Sequence, residues 1–350
     1  MMKRVAIIGS GNWGSTIGKI VAQNVINSNE FDSKVKMWVF EEMINDEKLS
    51  DIINIQHHNI KYLPGIKLPE NLIAEPELLK AIDGADLLVF VLPHQFLSKV
   101  LEQCKAMIKK TAIGITLIKG LIVPEFGRIQ LSSELIAEKL GIECGALMGA
   151  NIATEVAKET FCEATIGFKT KNSGESFKSI FQTEYFRIKC ITDVTSCELC
   201  GALKNIVAVA SGIADGLGFG DNTKAALIRI GLIEIKKFIY EFFPDSNPLD
   251  STFLESCGIA DLITTCYGGR NRKVGEALAR EGGNLDEIEK KLLNGQSAQG
   301  PLTAKEVYGF LEAKKKIKDY PLLTGIYKIC SGKVEAKNII EFLKNHPCHD

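Results

Sequence analysis

Short apolar, β-branched runs alternate with longer amphipathic stretches through the first half of the chain. RVAII, VKMWVF, DLLVFVL, AIGITLI, GALMG, ATIGF and FRIKCI have the length and composition of buried strands. Between them, STIGKIVAQNVI, EEMINDEKLSDIINI, QFLSKVLEQCKAMI and SSELIAEKL carry apolar residues at helical spacing. This alternation predicts parallel strands joined by crossover helices, an α/β domain over residues 1–193. Near Thr192 to Thr195 it stops. CGALKNIVAVASGIA, NTKAALIRIGLIEIKKFIYEFF, RKVGEALARE and LTAKEVYGFLEAK are helical in period and predict an all-α domain over residues 194–350. No repeat or low-complexity linker separates the halves, so they are expected to pack tightly, with ligands in the cleft between them.

Composition narrows the classes. The 350 residues suit two domains, and 45% hydrophobic with 24% charged residues and a formal net charge of −1 describe a soluble globular protein. There is no basic surplus for nucleic acid, so any cationic site must be local. No uninterrupted apolar run reaches about 18 residues, so no membrane span is expected. MMKRVAIIGSG enters a strand at once and is too short in apolar residues for a signal-peptide core, which makes the cytoplasm the expected compartment. Cys104, Cys190, Cys257 and Cys266, four of ten scattered cysteines, lie in apolar contexts and read as reduced, buried thiols. Cys197 and Cys200 have C-x-x-C spacing, but no second pair or histidine cluster completes a zinc shell. Packing is the reading for that pair, and no metal is expected.

Candidate chemistry begins in VAIIGSGNWGSTIG. Gly9, Gly11 and Gly14 have G-x-G-x-x-G spacing directly after a strand and at the start of a helix. The first glycine permits a tight turn, the second lets backbone N–H groups approach a pyrophosphate, and the third allows close helix–strand packing. The helix N-terminus favours the anion. These residues make the N-terminal domain Rossmann-like and imply a dinucleotide. WVFEE places Phe40, Glu41 and Glu42 at the end of the second strand, beyond the usual spacing of about 20 residues. Acidic residues there repel a 2′-phosphate and favour NAD. Phe40 either lies against the adenine or is a buried strand residue. FVLPHQF brings Pro93, His94 and Phe96 to the carboxyl edge of the sheet. ITLIKG and LMGANIA bring Lys119, Asn151 and Ala153 to the same edge, where open α/β sheets bind ligands. His94 reads as a hydrogen-bonded loop histidine.

In the second half, Lys204 stands inside the apolar run of residues 199–210. A lysine held among apolar side chains is driven toward its neutral form and can exchange protons near neutral pH; alternatively its stem snorkels and the ammonium reaches water. Asn205 follows it. Further on, Asp261 is the only carboxylate between Glu255 and Glu276, and TTCYGGRNRK gathers Thr264, Thr265, Arg270, Asn271, Arg272 and Lys273 around Gly268 and Gly269. Arginine with backbone donors suits bidentate binding of phosphate; a solvated basic helix start is the plainer alternative. NGQSAQGPLT offers Gln296, Ser297 and Gln299 as a loop over bound ligands.

Taken together, GSGNWGS, MWVFEE, KYLPG, LPHQF, LIKG, LMGANIA, CGALKNIVAVASG, GLGFGDNTKAA, FLESCGIADLITTCYGGRNRKV and NGQ followed by QGP resemble, in order and over essentially the whole chain, the NAD-dependent glycerol-3-phosphate dehydrogenases of the eukaryotic cytosolic type. The resemblance implies reversible reduction of dihydroxyacetone phosphate to sn-glycerol 3-phosphate with NADH, a Rossmann-like domain followed by an all-helical one, and a homodimer. By position it implies Lys204, Asp261 and Lys119 as catalytic residues. It implies Lys119, Asn151, Asn205, Thr265, Arg270 and Asn271 around the substrate. For NAD it implies Gly9, Ser10, Gly11, Asn12, Trp13, Gly14, Phe40, Phe96, Lys119, Ala153, Arg270 and Gln299. Ser297 departs from the lysine that many animal members carry before the last glutamine. Dehydrogenases of β-hydroxy acids share a lysine on the corresponding helix, and the GGRNR phosphate site is what sets this chain apart from them.

Overall fold

The computed structural model describes residues 2–123, 127–282, 284–293 and 298–349. The chain divides into two compact units, residues 1–119 with 131–194, and residues 120–130 with 195–350. In the first unit the strands are β1 (Val5–Ile8), β2 (Val35–Trp38), β3 (Met43–Ile44), β4 (Glu47–Lys48), β5 (Leu72–Glu75), β6 (Leu87–Phe90), β7 (Ile113–Thr116), β8 (Glu143–Met148), β9 (Cys162–Gly167) and β10 (Phe186–Ile191). Its helices are α1 (Asn12–Val25), α2 (Leu49–Gln56), α3 (Leu78–Ile82), α4 (Leu97–Cys104), α5 (Ser132–Leu140), α6 (Ala153–Ala157) and α7 (Lys171–Phe181). Eight strands form one sheet in the order β10-β9-β8-β7-β6-β1-β2-β5. The chain runs outward from β1 through β2 to β5, then returns to β6 on the other side of β1, so the strand order reverses there. The carboxyl ends beside such a reversal are where open α/β sheets take ligands. Ile7, Ile17, Ile20, Met37, Val89 and Ile115 are buried in the core that α1 and the sheet share.

In the sheet, three features depart from the periodic pattern. The stretch EEMINDEKLSDIINI is a helix only from Leu49; before it, β3 and β4 form a hairpin in which Ile44 pairs with Glu47. Asn45 and Asp46 between them have φ of 50° and 66°, the left-handed pair that a tight hairpin turn requires, and this turn chemistry overrides the helical period. Leu72–Glu75, unmarked by the pattern, adds β5 beside β2. Finally, β9 runs antiparallel to β8, against the expectation of parallel strands throughout. The five residues of α6 cover roughly 7.5 Å, far short of the about 20 Å of a six-residue strand, so the chain re-enters the sheet from the same end. The longer α7 restores a parallel crossover between β9 and β10.

The second unit is helical: α8 (Val194–Gly216), α9 (Asp221–Phe242), α10 (Asp261–Tyr267), α11 (Gly269–Glu281), α12 (Leu285–Leu293), α13 (Gln299–Ala313), α14 (Pro321–Cys330) and α15 (Ile339–Lys344). Among the described residues α8 alone is long and apolar enough to cross a membrane, and its apolar window is wholly buried inside the protein. It is a core helix. α11 lies directly on it, because a Cβ at Gly212 would sit 1.9 Å from the Arg272 carbonyl oxygen and one at Gly275 would sit 2.2 Å from that of Val209. This contact of backbones fixes where α11 lies along α8. Cys104, Cys257 and Cys266 are buried free thiols as expected, whereas Cys190 is half-exposed.

Candidate active site

Gly9, φ 124°, makes the turn out of β1, and a Cβ on it would lie 2.3 Å from the Val91 carbonyl oxygen. A Cβ on Gly14 would lie 2.2 Å from the Gly9 carbonyl oxygen, so α1 packs on the turn only with glycine there. Gly11 differs: nothing in the chain lies within 4 Å of the Cβ it lacks. Its φ of −64° and ψ of −173° suit any residue, so its missing side chain leaves room for a ligand. Asn12 and Trp13 start α1, whose first turn has no side-chain cap and no acidic residue. Free N–H groups and the positive helix end face that space, a fit to the pyrophosphate of NAD. We expect Gly14→Ala to lose about 1–3 kcal/mol of stability in denaturant unfolding. Gly11→Val should keep wild-type stability while weakening NADH at least tenfold in a fluorescence titration.

Phe40 lies beyond β2 and is 69% exposed, which excludes the buried-strand reading and leaves an aromatic face open; Phe96 is 53% exposed. The acidic pair beside Phe40 is engaged within the unit. Glu41 accepts from the N–H of Ser50 at 3.2 Å and its hydroxyl at 2.6 Å. Glu42 accepts from the Tyr62 hydroxyl at 2.5 Å and is paired with Lys61. Neither carboxylate stands free for a ribose. Lys119 follows β7 and donates to the Gly149 carbonyl at 3.0 Å. Asn151 donates to the Glu163 carbonyl at 2.8 Å, and its Oδ1 is buried without a hydrogen-bond partner. Ala153 opens α6, and its carbonyl accepts from Thr16 of α1 at 3.2 Å. Burial pushes the half-buried His94 imidazole below its ordinary range.

In the second unit the Lys204 side chain does not snorkel. Lys204 is 4% exposed and Asp261 2% exposed. Its amine is hydrogen-bonded and ion-paired to Asp261 Oδ1 and donates to Thr265 Oγ1 at 2.6 Å. A single π-helical turn, Ser256–Ala260, leads into α10, on which Asp261 and Thr265 stand four apart and share a face. Thr265 in turn donates to the Asp261 carbonyl at 2.6 Å. Burial pushes the neighbouring Cys266 thiol up to about 12, against the pull of the Lys204 charge, so it stays neutral at pH 7. A hydrogen bond with Cys257, reinforced by burial, raises Cys197 well above the usual thiol range, and neither cysteine competes for the lysine proton.

One residue on, Asn205 Oδ1 accepts from Asn271 Nδ2 at 2.8 Å, and Asn271 Oδ1 accepts from the Gly300 N–H at 2.8 Å. Three helices are thereby tied together, and Gln299, half-buried, sits at the start of α13. Gly269, φ 84°, turns the chain into α11, so Arg270 is exposed in its first turn, where no acid or side-chain cap occupies the helix N–H groups. Arg272 faces elsewhere, donating to Asp215 at 2.6 Å and pairing with Glu276 at 3.0 Å. Gln296 and Ser297 lie outside the described residues. Two further residues bear on the site: Asn59, fully buried against the glycine loop, and Asp215, which accepts from both Lys224 and Arg272. Neither carries a local motif.

A sheet with a glycine turn at its order reversal, followed by a helical unit with a buried lysine–aspartate pair, defines a nicotinamide-dependent dehydrogenase. Family models place it further: residues 4–174 match the N-terminus and residues 193–341 the C-terminus of NAD-dependent glycerol-3-phosphate dehydrogenase. The chain belongs to that family. It is 54% identical to the cytoplasmic glycerol-3-phosphate dehydrogenase [NAD(+)] of Homo sapiens over 348 residues, 99% of each chain. It is also 54% identical to glycerol-3-phosphate dehydrogenase 1-like protein of Danio rerio over 346 residues, 99% of this chain and 98% of that one. Glycerol-3-phosphate dehydrogenase GPD1 of Saccharomyces cerevisiae superposes with a TM-score of 0.92 at 45% identity, covering 99% of this chain and 100% of that one. The protein is thus an NAD-dependent oxidoreductase acting on a CH–OH group.

Proposed function

We propose that the protein interconverts dihydroxyacetone phosphate and sn-glycerol 3-phosphate with Lys204 as the general acid and base. The observation that carries this reading is the Lys204 amine, buried and held by Asp261 and Thr265 on one side of α10. Bound NADH supplies the hydride that reduces the carbonyl carbon. As that carbon is reduced its oxygen gains negative charge, and protonated Lys204 gives it a proton, becoming neutral until water restores the ammonium. In the oxidising direction neutral Lys204 takes the hydroxyl proton. Asp261 fixes the direction of the amine and stabilises its charged form. Arg270, with the N–H groups at the start of α11, holds the substrate phosphate, and the adjacent Asn271 and Asn205 fix the helices that present it. Lys119 adds positive charge near the developing oxyanion, and Asn151 Oδ1 is an acceptor for a hydroxyl.

The glycine loop from Gly9 to Gly14, with Ser10, Asn12 and Trp13, binds the pyrophosphate. Phe40 and Phe96 flank the adenosine, and Ala153, Arg270 and Gln299 complete the cofactor contacts. The phosphorylated small molecule, a homodimer and a cytoplasmic site are the setting we infer, the last supported by the names of the mammalian relatives. Following NADH absorbance should show rapid oxidation with dihydroxyacetone phosphate and at least 100-fold lower kcat/KM with unphosphorylated dihydroxyacetone. Equal rates with the two would refute the phosphate site.

A further inference from the structure

We propose that Asn59 is a positioning residue for the cofactor, fixing the direction in which the Gly11 N–H points. Asn59 is 0% exposed, on the segment after α2, and lies 49 residues from the loop it touches. Its Nδ2 donates to the Ser10 carbonyl at 2.9 Å and to Ser15 Oγ at 2.8 Å, and Ser15 Oγ donates to the same Ser10 carbonyl at 3.0 Å. Its Oδ1 accepts from the Tyr62 N–H at 3.1 Å. Every hydrogen-bonding group of this carboxamide is thus used: one of its three bonds ends on the turn between β1 and α1, and a second on Ser15 in the first turn of α1.

The consequence follows from the planarity of the peptide unit. The Ser10 carbonyl and the Gly11 N–H belong to one trans peptide, so they point in opposite directions. Two donors draw the carbonyl into the protein, and the N–H must therefore point outward, toward the open space that a Gly11 side chain would fill. Without them this peptide could rotate cheaply, since glycine at position 11 accepts the φ values that a flipped unit would impose. Asn59 removes that freedom before the ligand arrives, and a preorganised donor binds more tightly than one that must be ordered on binding. The Tyr62 side chain, three residues on, clamps Glu42 beside Phe40, so the same segment touches the proposed pyrophosphate and adenosine ends.

The inference rests on the reading that this loop holds the NAD pyrophosphate, and the test separates the two. Asn59→Asp keeps the shape and the acceptor toward Tyr62 but loses the donors; Ser15→Ala removes one of the two donors to Ser10 and is gentler on the fold. NADH Kd is read by fluorescence at a temperature well below each variant's Tm. Asn59→Asp should raise it about tenfold and Ser15→Ala about threefold, with kcat at saturating NADH within twofold of wild type and the KM for dihydroxyacetone phosphate unchanged. A merely structural asparagine would lower Tm and leave Kd alone, and that result would overturn the inference, as would unchanged Kd in folded Ser15→Ala. Gly11→Val is the control for the loop. If it fails to weaken NADH, the loop reading falls and the inference with it; if it weakens NADH while both other variants bind normally, the loop reading stands and only the role of Asn59 is lost.

Discussion

Lys204→Met should lower kcat by about 10²–10⁴-fold, the usual loss when a general acid–base group is removed, while the Kd for NADH stays within twofold of wild type. Methionine keeps most of the stem that lies buried in α8, so little packing is lost. The ammonium goes, and the buried Asp261 carboxylate loses its ion-pair partner. Breaking a buried pair in this way costs about 3–5 kcal/mol of stability, so the variant must be assayed well below its Tm with the folded fraction measured beside the rate. Asp261→Asn provides the complement: it keeps the lysine and loses the carboxylate that orients it, and kcat should fall with the KM for dihydroxyacetone phosphate little changed. Turnover within tenfold of wild type in folded Lys204→Met would remove the lysine from the mechanism.

Arg270→Ala should raise the KM for dihydroxyacetone phosphate about 100-fold and lower kcat as well. A guanidinium–phosphate contact is a charge-assisted bidentate pair, and binding energy from a remote group is used to place the reacting carbon. Because Arg270 is exposed at the first turn of α11, truncation leaves no buried cavity and Tm should not move. Arg270→Lys should recover only part of the loss, since an ammonium carries the charge without the planar fork. The discriminating measurement is kcat/KM for unphosphorylated dihydroxyacetone with NADH saturating for each enzyme, which removes any loss of cofactor affinity and should be the same in Arg270→Ala and wild type. A parallel fall for both substrates would place the arginine somewhere other than at the phosphate.

The glycine turn and the apolar helix around Lys204 were readable along the chain because each is written in residues close together. Three glycines at fixed spacing after a strand specify a turn, and an unbroken apolar stretch specifies a buried helix. What the residues could not distinguish was the fate of Lys204, since a snorkelling stem and a buried pair have the same local sequence. Nor could the pattern reveal that Glu41 and Glu42, read as repelling a 2′-phosphate, are taken up by Ser50, Tyr62 and Lys61. Asn59 looks like any loop asparagine until its carboxamide is seen on the Ser10 carbonyl.

By itself, then, the sequence determined the alternation of strands and helices that gives way to helices alone, the turn out of β1 and the family, though not β5 or the β3–β4 hairpin; what it determined depends on residues within a few positions or on motifs in fixed order. Only the tertiary structure decided that β9 reverses, that Lys204 meets an aspartate 57 residues away, and that Arg272 turns to Asp215 while Arg270 is exposed. Local periodicity records which face of a segment is buried. It does not record what that face is buried against, because the partner is chosen by packing between distant helices, here by glycines that let α11 lie on α8.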